Sequence, residues 1–399
     1  MLETPLEPAS AGTVIVGMSG GVDSAVAALL LRKAGYTVQG LFMSNWEEDD
    51  AYCTAAADFQ DARRTCDVLG IALHRVSFAE QYRERVFSHF LREYAAGRTP
   101  NPDVLCNREI KFGVCMDYMQ RLGAAWIATG HYAGVRHTGG HPELLKATDS
   151  DKDQSYFLHS VPPAALAKTL FPLGGLRKIE VRRMAHAAGL PVFDKPDSTG
   201  ICFIGERPFQ EFLSRHLRTD PGPIETADGQ VIGEHRGLAL YTLGQRGGLG
   251  VGGRAGAESA PWYVAEKIAA RNALVVVQDQ DHPLLLSDSF EVEQVHWMNP
   301  DDATAVAATA VTIECSVKTR YRQKDLACAV SRGARGETRV NLQDPARAVT
   351  PGQCAVFYSG ERCLGGGVIA QRFNSRHASG LEPAVRGITY NSLFSAEGS

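Results

Sequence analysis

The sequence predicts an α/β protein: a parallel-sheet catalytic domain followed by two small β-rich domains, the last a β-barrel. Three observations carry this reading. Near the start, the apolar run Thr13–Met18 meets a glycine turn and then the Ala/Leu-rich stretch Ala25–Lys33, and strand and helix signals keep alternating from there to about residue 190. After about residue 208 helical periodicity survives only in Phe209–Leu217, and short β-rich runs alternate with Gly, Pro and Asp turns. The chain is 399 residues long with 44% hydrophobic and 22% charged residues, enough for two or three cores. The expected boundaries are a loose tail over 1–12, the catalytic domain over 13–208, a central β-rich domain over 209–285, the barrel over 286–372, and a polar tail without periodicity over 373–399.

The first unit is organised around Ser19-Gly-Gly-Val-Asp-Ser24. Gly20 and Gly21 permit a sharp turn and close approach to a ligand. Asp23 and Ser24 fall at the expected helix start, where their side chains would cap free N–H groups. Such a helix start binds anions, phosphate above all. The turn lacks the Gly-Lys-Ser/Thr ending of the common P-loop and the G-x-G-x-x-G spacing of dinucleotide sites. The alternative is an ordinary strand-to-helix turn with a good cap.

Further along, Thr37–Met43 reads as a strand that opens into the acidic loop Ser44–Asp50. Ala55–Leu69 reads as a helix, Ile71–Ser77 as a strand and Glu80–Ala96 as a helix. The prolines of Gly97-Arg-Thr-Pro-Asn-Pro-Asp103 force a loop, which gives way to a helix expected over Asn107–Leu122. Cys106 then stands at a helix N-terminus, where a thiol loses its proton more easily, or else it packs the helix start as a small apolar side chain. Asp103 is a candidate acid/base or a turn residue after Pro102. Trp126–His131 reads as a strand and its exit, placing Gly130 and His131 at the ligand edge of the sheet. Leu144–Asp149 reads as a further strand, and Asp151–Tyr156 as a polar turn that composition alone would leave as solvated surface. Glu180–Ala188 is helical, stopped by Gly189 and Pro191. Cys202 lies in a glycine-flanked loop, as a mobile thiol or as a core thiol between Ile201 and Phe203.

In the β-rich part, Thr242–Gly253 is too dense in glycine to assign a ligand. Lys318-Thr-Arg-Tyr-Arg-Gln-Lys324 is a basic–aromatic cluster. Strand alternation would put Lys318, Arg320, Arg322 and Lys324 on one face and Tyr321 on the other, to meet phosphates or to keep a strand edge polar.

Bulk properties exclude some classes. No apolar run is long enough to span a bilayer, and the N-terminus has no basic start or apolar core of a secretory signal, so the expected location is cytoplasmic. Net charge is −4, so a nucleic-acid partner would need a local basic surface. The nine cysteines form no C-x-x-C pair and no zinc-finger spacing, so no metal site is expected.

SGGVDS resembles the signature of the PP-loop ATP pyrophosphatases. From about residue 13 to 372 the chain resembles the bacterial tRNA 2-thiouridylase family, on GMSGGVDS, FMSNWEEDD, TPNPDVLCN, ATGHY, KDQSYFL, DSTGICFIGER, TLGQRGGLGVGG, VKTRYRQ and VTPGQCAVFY. The resemblance implies thiolation of the wobble uridine of tRNA. ATP adenylates the C2 oxygen, pyrophosphate leaves, and a cysteine persulfide supplies sulfur as AMP departs. By this resemblance Gly17, Met18, Ser19, Gly20, Gly21, Val22, Asp23 and Ser24 hold ATP, with Met43 and Gly130 near the adenosine. Mg²⁺ is expected with the phosphates. Asn101, Pro102 and Asp103 meet the target base. Cys106 is the nucleophilic or resolving cysteine, joined to Cys202 in a disulfide on one of two routes, and Cys202 carries the persulfide. His131, Lys152, Asp153, Gln154, Arg320, Tyr321 and Gln353 contact tRNA. The implied partners are tRNAs for glutamate, glutamine and lysine and a sulfur-relay carrier or cysteine desulfurase, with the protein a monomer. The rival readings are another PP-loop enzyme, such as an amide-forming synthetase or a different tRNA thiolase, and a binding protein that keeps the fold without forming AMP.

Overall fold

The computed structural model describes residues 12–46, 55–138, 140–197, 209–217, 219–251, 260–307, 312–333 and 335–374. Strand β1 (Thr13–Gly17) has Val14, Ile15 and Val16 fully buried, as a strand covered on both faces requires. It pairs in parallel with β2 (Thr37–Ser44) on one side, and β3 (Leu73–Ser77) follows outside β2. On the other side it pairs in parallel with β4 (Trp126–Ala128). The chain then leaves this sheet as a hairpin, β5 (Gly134–Thr138) and β6 (His141–Leu145), and returns as β7 (Thr169–Leu170) outside β4. The order is β3-β2-β1-β4-β7, so the direction of winding reverses between β1 and β4. The crevice beyond their C-terminal ends is the ligand position of such sheets. Helix α1 (Val22–Lys33) buries most of its length against this sheet, and α2 (Ala55–Leu69) buries only Ala62, Thr65, Cys66 and Leu69. Helical segments also cover 79–95 and 102–121, the second kinked at Gly113, whose backbone leaves helical geometry at φ −110° and ψ −111°.

The middle sheet joins β8 (Gly222–Thr226), β9 (Val231–His235), β10 (Tyr263–Ile268) and β11 (Ala273–Val277) in the order β10-β11-β8-β9. The last unit contains β12 (Leu286–Trp297), β13 (Thr312–Lys318), β14 (Leu326–Arg332), β15 (Thr338–Arg347), β16 (Cys354–Ser359) and β17 (Arg362–Phe373). The additional pairing of β12 with β17 closes these six strands into a barrel. Its own core includes Phe290, Val317, Val330, Val340 and Phe357. A second core runs without a break from Ile15 and Phe90 through Ile224 and Val264 to Val356 and Tyr358, so the three units share buried apolar surface.

Two expectations change here. The strand expected over Leu144–Asp149 ends at Leu145 and lies outside the parallel sheet. Leu145 pairs with Arg362 of β17, and the Lys146 N–H donates to Glu361 O at 2.9 Å, so the hairpin extends the barrel's sheet. Asp149 turns the chain instead, accepting from the Asp151 and Lys178 N–H groups. The strand expected through Lys324 stops at Lys318, because the Gln323 side chain accepts from the Thr319 N–H at 2.8 Å and Arg322 turns to φ +63°. Period-two alternation therefore does not order Arg320, Tyr321 and Arg322.

Arg320 points inward from that turn. Its Nη2 donates to Leu243 O of the middle unit at 3.0 Å and to Ala348 O of the barrel at 2.7 Å. Arg320→Ala leaves both carbonyls without that donor and should lower unfolding free energy by about 2 kcal/mol, read as a fall in the urea midpoint at constant m-value. An unchanged midpoint would show that this guanidinium does not hold the two units together.

Candidate active site

The turn after β1 is folded by its own hydroxyls. Ser24 Oγ donates to Gly21 O at 3.1 Å and accepts from the Ser19 N–H at 3.2 Å, while the Gly21 N–H donates to Ser19 Oγ at 3.3 Å. Gly21 is the N-cap of α1 and supplies no side chain, so Asp23 and Ser24 are not caps: they lie inside the first turn. The N–H groups of that turn have no acceptor within the helix, which is the property an anion uses. Gly20 sits at φ +76°, and a Cβ there would stand 2.3 Å from Asp58 O, so only glycine brings α2 this close. Gly130, at the exit of β4, would place a Cβ 2.7 Å from Ser24 N and presses that exit onto the phosphate turn. Gly17 ends β1. Met18 and Val22 are buried in the core beneath the turn, and Met43 is half-buried near the end of β2.

Of the charged groups around the turn, Asp23 and Lys152 are named from the sequence, whereas Lys178, Arg182 and Lys195 are not. Lys178 Nζ lies 2.7 and 2.8 Å from the two Asp23 oxygens and 2.7 Å from Asp197 Oδ1. Tyr132 donates to Asp23 Oδ1 at 2.8 Å. Asp197 also accepts from Lys152 at 2.7 Å and from Arg182 at 3.0 Å. Burial would push the Asp197 carboxyl up, but its hydrogen bonds with Lys152 and Lys178 prevail and hold it at about 2. Lys195 Nζ reaches Gly20 O at 3.1 Å, Asp58 Oδ1 at 2.7 Å and Asp61 Oδ2 at 2.6 Å. Four cations, Lys152, Lys178, Arg182 and Lys195, thus converge beside the glycine turn after β1. Asp197 is the first residue of the DSTGICFIGER stretch and Lys195 lies two residues before it, the one local hint of their role.

Asn101 caps the helix at 102, its Oδ1 accepting from the Val104 N–H at 3.4 Å, with Pro102 in the first turn. The helix therefore starts one turn earlier than expected. Cys106 sits within it, past the terminal N–H groups, and its N–H faces carbonyls at 102 and 103. The helix widens to π geometry over Cys106–Val114. Asp103 and Cys106, three apart, share a helix face. Cys106 is 1% exposed. Burial raises the Asp103 carboxyl, against the pull of Lys111. Lys111 also acts on His131, whose imidazole is held well below its usual value first by burial and then by that charge. His131 stacks near Phe112 and Phe171 and shares a hydrogen bond of 2.8 Å with Thr129 Oγ1.

The preceding loop is gripped by the other units. Gln353 Nε2 donates to Thr99 O at 2.7 Å, the Thr99 N–H donates to Pro351 O at 3.0 Å, and Lys267 Nζ donates to Gly97 O at 3.1 Å. The KDQSY turn is interior rather than solvated surface. Asp153 is 3% exposed and accepts from the Ala147 and Ser155 N–H groups and from Lys318. Gln154 accepts from the Tyr132 N–H at 3.0 Å. Tyr321 packs its ring 4.5 Å from that of Phe157. The structure thus brings the phosphate turn, Gly130, His131, Lys152 and the Asp103–Cys106 helix to one edge. Arg320 and Gln353 lie at the seams between units. Cys202 lies outside the described residues. No helix among the described residues is long and apolar enough to cross a membrane.

Comparison with known proteins follows the same division. Residues 12–206 match the family model described as a tRNA methyl transferase HUP domain, 210–278 a tRNA methyl transferase PRC-barrel domain, and 287–369 an aminomethyltransferase beta-barrel domain. The tRNA-specific 2-thiouridylase MnmA of Chromohalobacter salexigens is 55% identical over 92% of this chain and 94% of its own. That of Alcanivorax borkumensis is 56% identical over 90% of this chain and 97% of its own. A solved NMN synthetase from Francisella tularensis aligns with 50% of this chain and 71% of its own at 21% identity and a TM-score of 0.32, too loose a likeness to carry weight. With relatives this similar along nearly its whole length, the chain belongs to the tRNA-specific 2-thiouridylase family.

Proposed function

We propose that the protein makes 2-thiouridine at the wobble position of tRNA, using ATP to activate the C2 oxygen of the base. The observation that carries this is the placement of a phosphate turn, ringed by Lys152, Lys178, Arg182 and Lys195, at the same sheet edge as the Asp103–Cys106 helix. The uridine C2 oxygen is a poor leaving group. Its attack on the α-phosphorus of ATP expels pyrophosphate and leaves an adenylated base, from which AMP departs readily. The N–H groups at the start of α1 and the nearby cations hold the phosphate charge in place before the reaction.

Asp103 is the acid/base at the base itself, and Asn101 and Pro102 border its pocket. Cys202 carries the persulfide. Either its outer sulfur attacks C2 and expels AMP, after which Cys106 attacks the inner sulfur, forms a disulfide with Cys202 and frees the thiolated base, or Cys106 attacks the inner sulfur first, forms that disulfide and releases hydrosulfide, which attacks C2 and expels AMP. Cys106 is already buried beside Asp103, where its sulfur is shielded from solvent. His131, with its proton lost at neutral pH, offers an uncharged ring beside the site.

Mg²⁺ takes one or two carboxylates together with substrate phosphates. Asp23 and Asp197, both now held by Lys178, are carboxylates of that kind next to the phosphate turn and would hold it there. The ion supplies neutralisation of phosphate charge. The tRNA set is that for glutamate, glutamine and lysine, the sulfur comes from a relay carrier or a cysteine desulfurase, and the protein acts as a monomer in the cytoplasm.

Nucleoside mass spectrometry of unmodified tRNA incubated with protein, ATP–Mg²⁺ and a persulfide donor tests the reading. Wild type should yield 2-thiouridine, and Cys202→Ala should yield none while still releasing pyrophosphate. AMP without thiouridine from wild type would reject the substrate. In the same assay the acid limb of the rate should lie above the ordinary carboxylate value of about 3.9, because burial raises Asp103 and the carboxylate is the active form. Asp103→Asn should remove that limb along with most of the rate. Lys178→Met should raise the KM for ATP roughly 10- to 100-fold, as expected for losing one charge-assisted hydrogen bond of about 1.5–3 kcal/mol, and an unchanged KM would remove Lys178 from the nucleotide site.

A further inference from the structure

Away from this site, two barrel cysteines face each other. Cys315 on β13 and Cys328 on β14 are register partners in an antiparallel ladder, and their Sγ atoms stand 3.6 Å apart. Directly opposed residues in such a ladder have Cα atoms about 4.5 or 5.5 Å apart. Both spacings lie inside the window of about 4.4–6.8 Å that a disulfide spans. Bringing the sulfurs to a bonded distance of about 2.0 Å needs each to move by less than about 1 Å, which side-chain torsion supplies with the strand pairing intact.

The two thiols are unequal. Cys315 is half-exposed at the margin of the barrel core, and Cys328 is 3% exposed behind it. Contact with Cys315, followed by burial, raises the Cys328 thiol far above its ordinary value. A small oxidant therefore meets Cys315 first, with Cys328 held within reach. A thiolate metal centre is a poorer fit, since no group of three or more His, Cys, Asp or Glu side chains is gathered anywhere among the described residues. A purely apolar role would bury both side chains, and here Cys315 is only partly buried and keeps some of its surface in solvent.

We propose that Cys315 and Cys328 form a redox modification site whose co-reactant is a peroxide. The Cys315 thiolate attacks one peroxide oxygen, the O–O bond breaks, and sulfenic acid and water form. The Cys328 sulfur then attacks the Cys315 sulfur, the S–O bond breaks, and a second water leaves with the Cys328 proton. Two thiols lose two electrons and two protons in total, and one peroxide is reduced to two waters. The product is a cross-strand disulfide that a reducing dithiol reverses. It ties β13 to β14 just before the turn that carries Arg320 and Tyr321. Neither cysteine belongs to the machinery assigned above.

The test uses the full chain. Wild-type protein is treated with equimolar hydrogen peroxide, alkylated and peptide-mapped by mass spectrometry. The expected result is a peptide pair linked between residues 315 and 328, lost on treatment with dithiothreitol and absent from Cys315→Ser. In Cys328→Ser the oxidised Cys315 should instead accumulate as a sulfenic acid trapped by dimedone. Recovery of both thiols alkylated in wild type, or of Cys315 as sulfinic acid without the linked pair, would overturn the proposal. The wild-type map decides even where a variant fails to fold. Thiolation by reduced Cys315→Ser should match wild type within about twofold, and a larger loss would also overturn the assignment of the pair to a separate site.

Discussion

The ion chain Asp23–Lys178–Asp197 is the contact on which the site's arrangement depends. Asp23 belongs to the first turn of α1, Lys178 opens a helix that packs on α1, and Asp197 ends the segment that follows that helix. One ammonium therefore fixes three pieces of chain that are far apart in sequence. The lysine is the enclosed member, 13% exposed, while both carboxylates keep an edge in solvent. Removing one side of such a pair costs more than the pair contributes, because a desolvated charge stays behind. The chain of charges also keeps the phosphate turn open for use: both carboxylates are occupied by cations, so an entering polyanion meets amines and N–H groups rather than bare carboxylates.

A second constraint comes from the barrel. The loop 97–101 has a proline-rich sequence and would be a poor platform alone. It is held by Gln353 and Pro351 of the barrel and by Lys267 of the middle sheet, while Tyr156 ties the same region to Cys354 O at 2.9 Å. The β-rich units thereby set the position of Asn101, Asp103 and Cys106, although none of their own strands carries the proposed chemistry. Gly352 makes this docking tight, since a Cβ there would stand 2.7 Å from Thr99 N.

Much of this was readable from local signals. The strand–turn–helix over 13–33 announced itself because a buried strand, two glycines and an Ala/Leu helix each follow short-range rules. Helix α2 lies over the same residues, Ala55–Leu69, that periodicity indicated. What failed did so where a distant partner decides. The strand expected over Leu144–Asp149 could not be assigned to the barrel's sheet, because the ladder partner of Leu145, Arg362, is far along the chain. Lys178 and Lys195 carry no signal in the sequence, since nothing in their neighbours tells which carboxylates they will meet. Arg320 read as a strand-face cation until the Gln323 side chain closed a turn beneath it. Cys106 was placed one turn off, because Asn101 and Pro102 start the helix before the residues where apolar periodicity begins.

The hairpin that joins the barrel's sheet also has a meaning for synthesis. Leu145 leaves the ribosome long before Arg362, its ladder partner. At about 5–20 residues per second, the roughly 200 residues between them occupy on the order of 10–40 s. For that interval the outer edge of β6 stays unpaired on a nascent catalytic domain. The barrel's last strand is thus the piece that finishes the first domain, and a chain that stops short of it leaves that domain with a sticky edge.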